Sequence, residues 1–552
     1  MDVRAILHRS RSVDCFPVSE YALGLRLRVG RGDFDRVSVV YTDNRFAWTK
    51  RREEIPMELW LSDSQFDYYS VYLSGEDSRF AYIFRLYTGK DSYYYCEEGL
   101  TRDFDYALGY YNYFQYPYIY KSEVLSVPEW ARGTVCYQIF PDRFRIGGAE
   151  KDMGYVNLPW GKRPKPKSFA GGDLNGIIDG LDHIQELGAT LLYLTPVCLS
   201  VSNHKYDVID YCRVDPQFGG NEALKALVSA AHARGMRVML DGVFNHCSNE
   251  HTFFQDVAKR GHSSPYYNWF FVDGDRADHK ARNYLTFASV PYMPKLNTDL
   301  DAVIDYFCDV GRYWIDEYGI DGWRLDVADE ISPRFLRRFR EAVKAAKPDA
   351  LIVGEVWHEA RAWLRGDQFD GVMNYGLAKA CLDLFAFGAL DAQGFADRLV
   401  RLLTRNTDPA NDMMFNLLDS HDTERFLTRV KGDVQKLMSA LAAAVFLPGI
   451  PFLFAGDEIG VMGGYDPDCR RTFEWDRGRW NDALYRHARR LCALKKTAPL
   501  MRGRCRVDCE NSVVRICRFT ETESAALLIN PSDTQREAFG ASVPAMGFLI
   551  QD

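Results

Sequence analysis

Gly322-Trp-Arg-Leu-Asp-Val-Ala-Asp329 is a short apolar run that ends in charge. Read as a strand, it alternates its side chains, so Arg324 and Asp326 share one face. Seven further runs of the same texture surround it, at 135–140, 190–195, 237–241, 351–355, 369–373, 414–419 and 450–454, with helical stretches between them. Eight such strand–helix units predict an α/β chain built around a (β/α)8 TIM barrel.

Outward from the barrel the texture changes. Tyr21-Ala-Leu-Gly-Leu-Arg-Leu-Arg-Val29 alternates apolar and basic residues, as a strand with one buried face does, and 36–41 and 80–87 continue the pattern. An N-terminal β-sandwich over 1–122 is expected, followed by the barrel over 123–498. The stretch 247–297 is too long for an ordinary βα loop and is rich in aromatics and His. It reads as a small insertion after the third barrel strand, lying over the mouth. Residues 499–552 read as a short C-terminal β-domain. The apolar segment 437–456 is long enough to span a membrane. Pro448, Gly449 and Pro451 interrupt it and Asp457-Glu458 follow, so it reads as a buried helix turning into a buried strand.

Composition narrows the function classes. With 68 basic and 76 acidic residues, the formal charge is −8, which argues against a nucleic-acid partner. No GxxxxGK[ST] run supports nucleotide chemistry. The 13 Cys include no CxxC pair, and Cys505, Cys509 and Cys517 lack a neighbouring His, so no zinc site is expected. Scattered thiols suit a reducing compartment. Met1 to Phe16 is charged throughout, without the apolar centre of a secretory leader. A cytoplasmic protein with no membrane partner is the expectation.

Residues at the C-terminal ends of barrel strands are where such folds carry chemistry. Taken alone, Arg324 beside Asp326 fits a structural salt bridge as well as an activated nucleophile. If functional, the arginine favours the ionised carboxylate. The next strand ends Val353-Gly-Glu-Val-Trp-His358, which puts Glu355 one strand over at the same rim. Two carboxyl groups about 5–5.5 Å apart make a retaining glycosidase, and adjacent strands about 4.8 Å apart allow that spacing. Asp241 with Asn245-His246 ends the third strand, and Asp419, His421 and Asp422 end the seventh.

Asp241…Asn245-His246, Gly322-Trp-Arg-Leu-Asp326, Gly354-Glu355-Val-Trp-His and Ser420-His421-Asp422 resemble, in order and spacing, the four signature blocks of the α-amylase family, glycoside hydrolase family 13. The resemblance implies Asp326 as nucleophile, Glu355 as general acid/base and Asp422 as a third carboxylate holding sugar hydroxyls. Arg324 would orient Asp326, His246 and His421 would bond the sugar at the cleavage point, and Asp241 would support them. Ser202-Asn-His-Lys-Tyr-Asp207, Met293-Pro-Lys-Leu-Asn297 and Glu355-Val-Trp-His358 resemble the neopullulanase, cyclomaltodextrinase and maltogenic amylase group. On that footing Tyr206 would stack under the sugar and Trp357 would line the leaving-group side, though plain packing also accounts for Trp357. His204 and Glu330 would join the substrate contacts.

The expected substrates are α-1,4-linked glucans, cyclodextrins or pullulan, and the group's sandwich implies a homodimer. The alternatives within the family are an α-1,6-acting glucosidase and a glucanotransferase. A non-catalytic glucan-binding protein would have lost carboxylates that are all present here. In Ala328-Asp329-Glu330, Asp stands where the group usually has Asn, which bears on transfer against hydrolysis. Many members bind calcium after the first strand. Here Phe144-Arg-Ile-Gly-Gly-Ala-Glu-Lys-Asp-Met153 offers Ile146, Gly148 and Lys151 where ligands would stand. Only Asp152 and Asp173 remain as metal candidates, so the expectation is a lost site and no required cofactor.

Overall fold

The computed structural model describes residues 1–551. Parallel strands Cys136–Ile139, Leu191–Leu194, Arg237–Gly242, Gly322–Leu325, Leu351–Gly354 and Gly371–Val372 pair in sequence order, and Ile450–Phe454 joins the first strand to Phe415–Asn416. A parallel bridge from Met373 to Phe415 brings the sixth strand to the seventh and rounds the sheet into a barrel.

Strand parity decides what the barrel holds. Val238, Leu240, Trp323, Leu325 and Ile352 point outward into the cluster shared with the helices. Tyr193, Met239, Leu351, Val353 and Phe452 fill the interior. Because both faces are covered, these strands read as continuous apolar runs. The same parity turns Asp241, Arg324, Asp326 and Glu355 inward. Register then sets their level, with Asp241 opposite Arg324 and Leu325 opposite Gly354.

The sixth and seventh strands are shorter than 369–373 and 414–419 suggest. Backbone bonds from Tyr375 N to Met373 O and from Leu417 N to Phe415 O, both 3.0 Å, curl each chain out of the sheet. Gly371 sits at this seam, where a Cβ would lie 2.0 Å from the Met413 carbonyl oxygen. As expected, 437–456 is helix Val434–Phe446 followed by strand Ile450–Phe454. Among the described residues no helix is long and apolar enough to cross a membrane.

The N-terminal region forms two antiparallel sheets that face each other. Leu23, Leu25, Leu27 and Val29 alternate into the core between them, against Val37, Phe80 and Phe84. One basic residue of that strand departs from the outward pattern. Arg26 is 3% exposed; it donates to the Asn406 carbonyl oxygen (2.5 Å) and to Asp408 Oδ1 (2.6 Å) on the barrel. Its guanidinium lies over Trp60. At the other end, a four-stranded antiparallel sheet runs from Arg504–Glu510 to Gly547–Gln551. The insertion carries helix Thr252–Arg260 and returns to the rim through bridges His246–Lys295 and Phe270–Leu296.

Gly371→Ala places a methyl group against a backbone oxygen that cannot move without opening the barrel seam. The expected cost is about 2 kcal/mol or more, read as a lower thermal midpoint.

Candidate active site

One buried guanidinium organises the rim. Arg324 Nη1 donates to Asp241 Oδ1 (2.9 Å) and Oδ2 (3.1 Å) and to Asp326 Oδ1 (2.8 Å). Its Nη2 lies 2.9 Å from Glu355 Oε1. All four side chains are buried. Three strands thus deliver three carboxylates to a single cation.

The chain just past Asp326 is bent to serve the same group. Val327 adopts a left-handed conformation (φ 46°), which is strained for a β-branched residue. That turn aims its amide at Glu355 Oε2, 3.1 Å away. Tyr375 donates its hydroxyl to Glu355 Oε1 at 3.3 Å. Its ring is covered by Trp357, with centroids 3.7 Å apart and planes within 7°. Trp357 is 45% exposed, so its outer face remains open to a ligand.

A second cluster forms beside the first. Tyr206 stacks on His421 with planes 5° apart. The Tyr206 hydroxyl donates to Asp241 Oδ2 (2.9 Å), as does Tyr193 (2.6 Å). Gln138 fixes the His421 tautomer. Its Oε1 accepts from the His421 amide (3.2 Å), so its Nε2 donates to Nδ1 (2.7 Å). The imidazole proton therefore sits on Nε2, facing the Tyr206 oxygen (2.5 Å) and Asp422 Oδ2 (3.1 Å). Arg470 holds Asp422 Oδ1 at 3.1 Å and the His421 carbonyl oxygen at 2.7 Å. His246 stacks on Phe287, and its buried Nε2 has no well-formed hydrogen-bond partner. An unsatisfied donor or acceptor at a cleft fits a ligand hydroxyl.

Burial, foremost, and then Glu355 and Asp241 push the Asp326 carboxyl well above the usual carboxylate range, against the pull of Arg324. The arginine's pull on Asp326 is shared with Asp241 and Glu355. Burial also lowers His421 far below the ordinary imidazole range, helped by Arg470 and Arg324. It lowers His246 to about 3, helped by Lys295. His204 falls to about 4, again chiefly through burial.

A model described as the α-amylase catalytic domain matches residues 138–490. A second, described as the α-amylase N-terminal ig-like domain, matches 1–120. This chain belongs to the α-amylase family. A cyclomaltodextrinase of Geobacillus thermopakistaniensis is 43% identical, across 97% of this chain and 92% of that protein. Neopullulanase 2 of Thermoactinomyces vulgaris is 41% identical, across 96% and 91%. A solved cyclomaltodextrinase structure superposes with a TM-score of 0.92 at 38% identity, covering 97% of this chain and 92% of that one.

The structure brings Asp241, Arg324, Asp326, Glu355, Asp422, His421 and Tyr206 into one connected network. Glu330 is drawn aside: its carboxylate is half-exposed and paired with Lys295 Nζ at 2.9 Å. His204 lies behind Tyr206 and accepts its backbone N–H on Nδ1 (3.1 Å). Gln138, Tyr193, Tyr375 and Arg470 were not anticipated. Gln138 and Tyr193 had one legible signal, a hydrogen-bonding group inside an otherwise apolar strand run. Arg470 had none.

The calcium position common in the family does not fit the residues here. Lys151 Nζ stands 2.6 Å from Asp173 Oδ2, and Asp152 spends Oδ1 on the Gly154 amide (2.8 Å).

Both site histidines stay neutral through the physiological range, since each pKa is lowered on folding. Their stabilising contribution is complete above the unfolded value of 6.5 and is lost as pH falls toward about 3 for His246. An NMR titration should show neither ring protonating between about pH 5 and 8, with the His421 proton on Nε2.

Proposed function

We propose that this protein hydrolyses α-1,4-glucosidic bonds in cyclodextrins and maltooligosaccharides with retention of anomeric configuration. The supporting observation is the single guanidinium that grips Asp241, Asp326 and Glu355 at the ends of three adjacent strands. A shared grip of this kind keeps two carboxyl groups within the short range that retention needs.

In this reading Asp326 keeps Oδ1 on Arg324 and attacks the anomeric carbon with Oδ2. The reaction requires a proton on Glu355, which gives it to the glycosidic oxygen, so the bond breaks to the leaving sugar as the glycosyl–Asp326 ester forms. For this, Oε1 turns from Arg324 toward the cleft. Water then attacks the ester while Glu355 takes its proton back, restoring both groups. Asp422, held by Arg470, accepts from sugar hydroxyls, whereas neutral His246, whose Nδ1 faces the Asn245 amide nitrogen at 3.5 Å, donates to one through Nε2. The Tyr206–His421 stack forms an apolar floor for the pyranose, and the outer face of Trp357 receives the leaving segment. Asp329 stands where the group usually has Asn, a position that bears on the balance of transfer against hydrolysis.

Two further readings accompany it. Phe46, Tyr110 and Tyr111 are 63%, 46% and 84% exposed on the sandwich, and Tyr110 reaches the Phe46 carbonyl oxygen. Such an aromatic patch suits a homodimer contact. All thirteen cysteines are free, which suits the cytoplasm.

Asp326→Asn should lower kcat on β-cyclodextrin at least about a thousandfold, since the covalent route is lost. Activity retained within tenfold would sink the assignment. Glu355→Gln should abolish cleavage of maltooligosaccharides yet spare α-glucosyl fluoride, whose leaving group needs no proton. Equal losses on the two substrates would count against it. Polarimetry of the first product should show the α-anomer.

A further inference from the structure

Lys151 lies in the loop after the first barrel strand, and its side chain is 11% exposed. It meets three oxygens from two segments: Asp173 Oδ2 at 2.6 Å and the Gly171 carbonyl at 2.7 Å from one, and the Gln217 carbonyl at 3.1 Å from the other. A carboxylate and two backbone carbonyls converging on one point is the hard oxygen set that otherwise suits a metal cation. We propose that Lys151 is a covalently tethered cation that occupies the family's calcium position and makes this protein's fold independent of metal.

The charge balance supports the assignment. Asp173 caps helix Leu174–Leu187, its Oδ1 accepting from Gly176 N (2.7 Å) and Gly147 N (3.2 Å). Its other oxygen is buried, makes no well-aligned hydrogen bond and requires a counter-charge. The ammonium supplies that charge through a direct ionic contact. Ile146 and Gly148, in the same loop, bring no side-chain oxygen that would complete a metal shell.

The tie continues toward the cleft. The Gln217 side chain accepts from Lys205 Nζ at 2.7 Å, and Lys205 also pairs with Asp215 Oδ2 at 2.7 Å. Lys205 is fully buried between His204 and Tyr206 in the chain and is held in a left-handed conformation (φ 63°). Two lysines therefore hold Gln217, Lys151 from the first-strand loop at its carbonyl and Lys205 from the loop that carries Tyr206 at its side chain.

The test measures metal content and melting temperature on the full-length protein. Wild type should carry substoichiometric calcium by elemental analysis and melt at the same temperature in EDTA and in millimolar calcium. Lys151→Met should melt about 5 °C lower in EDTA, because it strands a buried carboxylate. Lys151→Asp replaces the ammonium with a ligand, so its melting temperature should rise with added calcium while that of wild type does not. Stoichiometric calcium in wild type, an EDTA-induced drop, an unchanged melting temperature in Lys151→Met, or no calcium response in Lys151→Asp would each overturn the proposal. If a variant fails to fold, the two wild-type measurements still decide it.

Discussion

The Arg324 guanidinium and its three carboxylate partners set the terms for everything around them. A buried cation with three buried anions carries an excess of negative charge, and removing such charges from water is expensive. The barrel offsets that cost with hydrogen bonds: Tyr193 and Tyr206 on Asp241, the Val327 amide and Tyr375 on Glu355. Burial and the neighbouring carboxylates still raise the Asp326 carboxyl well above its usual range. The strained turn at Val327 belongs to the same arrangement, since an ordinary extended residue would aim its amide elsewhere.

Much of this was legible in the sequence because strand parity is a local property. Arg324 and Asp326 are two residues apart, so their common face needs no tertiary information. Glu355 follows from the pairing of the next strand. What stayed hidden depends on partners far along the chain. Gln138 acquires meaning only when His421 arrives 283 residues later. Arg470 lies on a loop with no periodicity to read. Glu330 pairs with Lys295, which returns from the insertion, a partner that no local pattern reveals. The sixth and seventh strands were overestimated because their apolar runs continue past the point where the backbone turns out of the sheet.

The ionisation states beside the cleft follow the same logic of distance. Burial lowers both His421 and His246, with arginine charges pushing the same way and Glu355 opposing at His421, and Lys295 pushing the same way at His246. A neutral imidazole presents one donor and one acceptor, and Gln138 decides which nitrogen is which. An amide on the first strand thereby selects the hydrogen-bond pattern that a sugar meets at the seventh.

Arg26 adds a consequence for how the chain is assembled. Its guanidinium rises from the sandwich yet finds its anion and carbonyl partners on the barrel, with Trp60 closing over it. Excising the sandwich would strip Asp408 of its mate and bare the surface beneath, while an isolated sandwich would display a solitary charge in an apolar setting. The two modules are thus poor candidates for shuffling between genes. Inheritance would be expected to transmit them as one unit, with substitutions at 26 and 408 arising in concert.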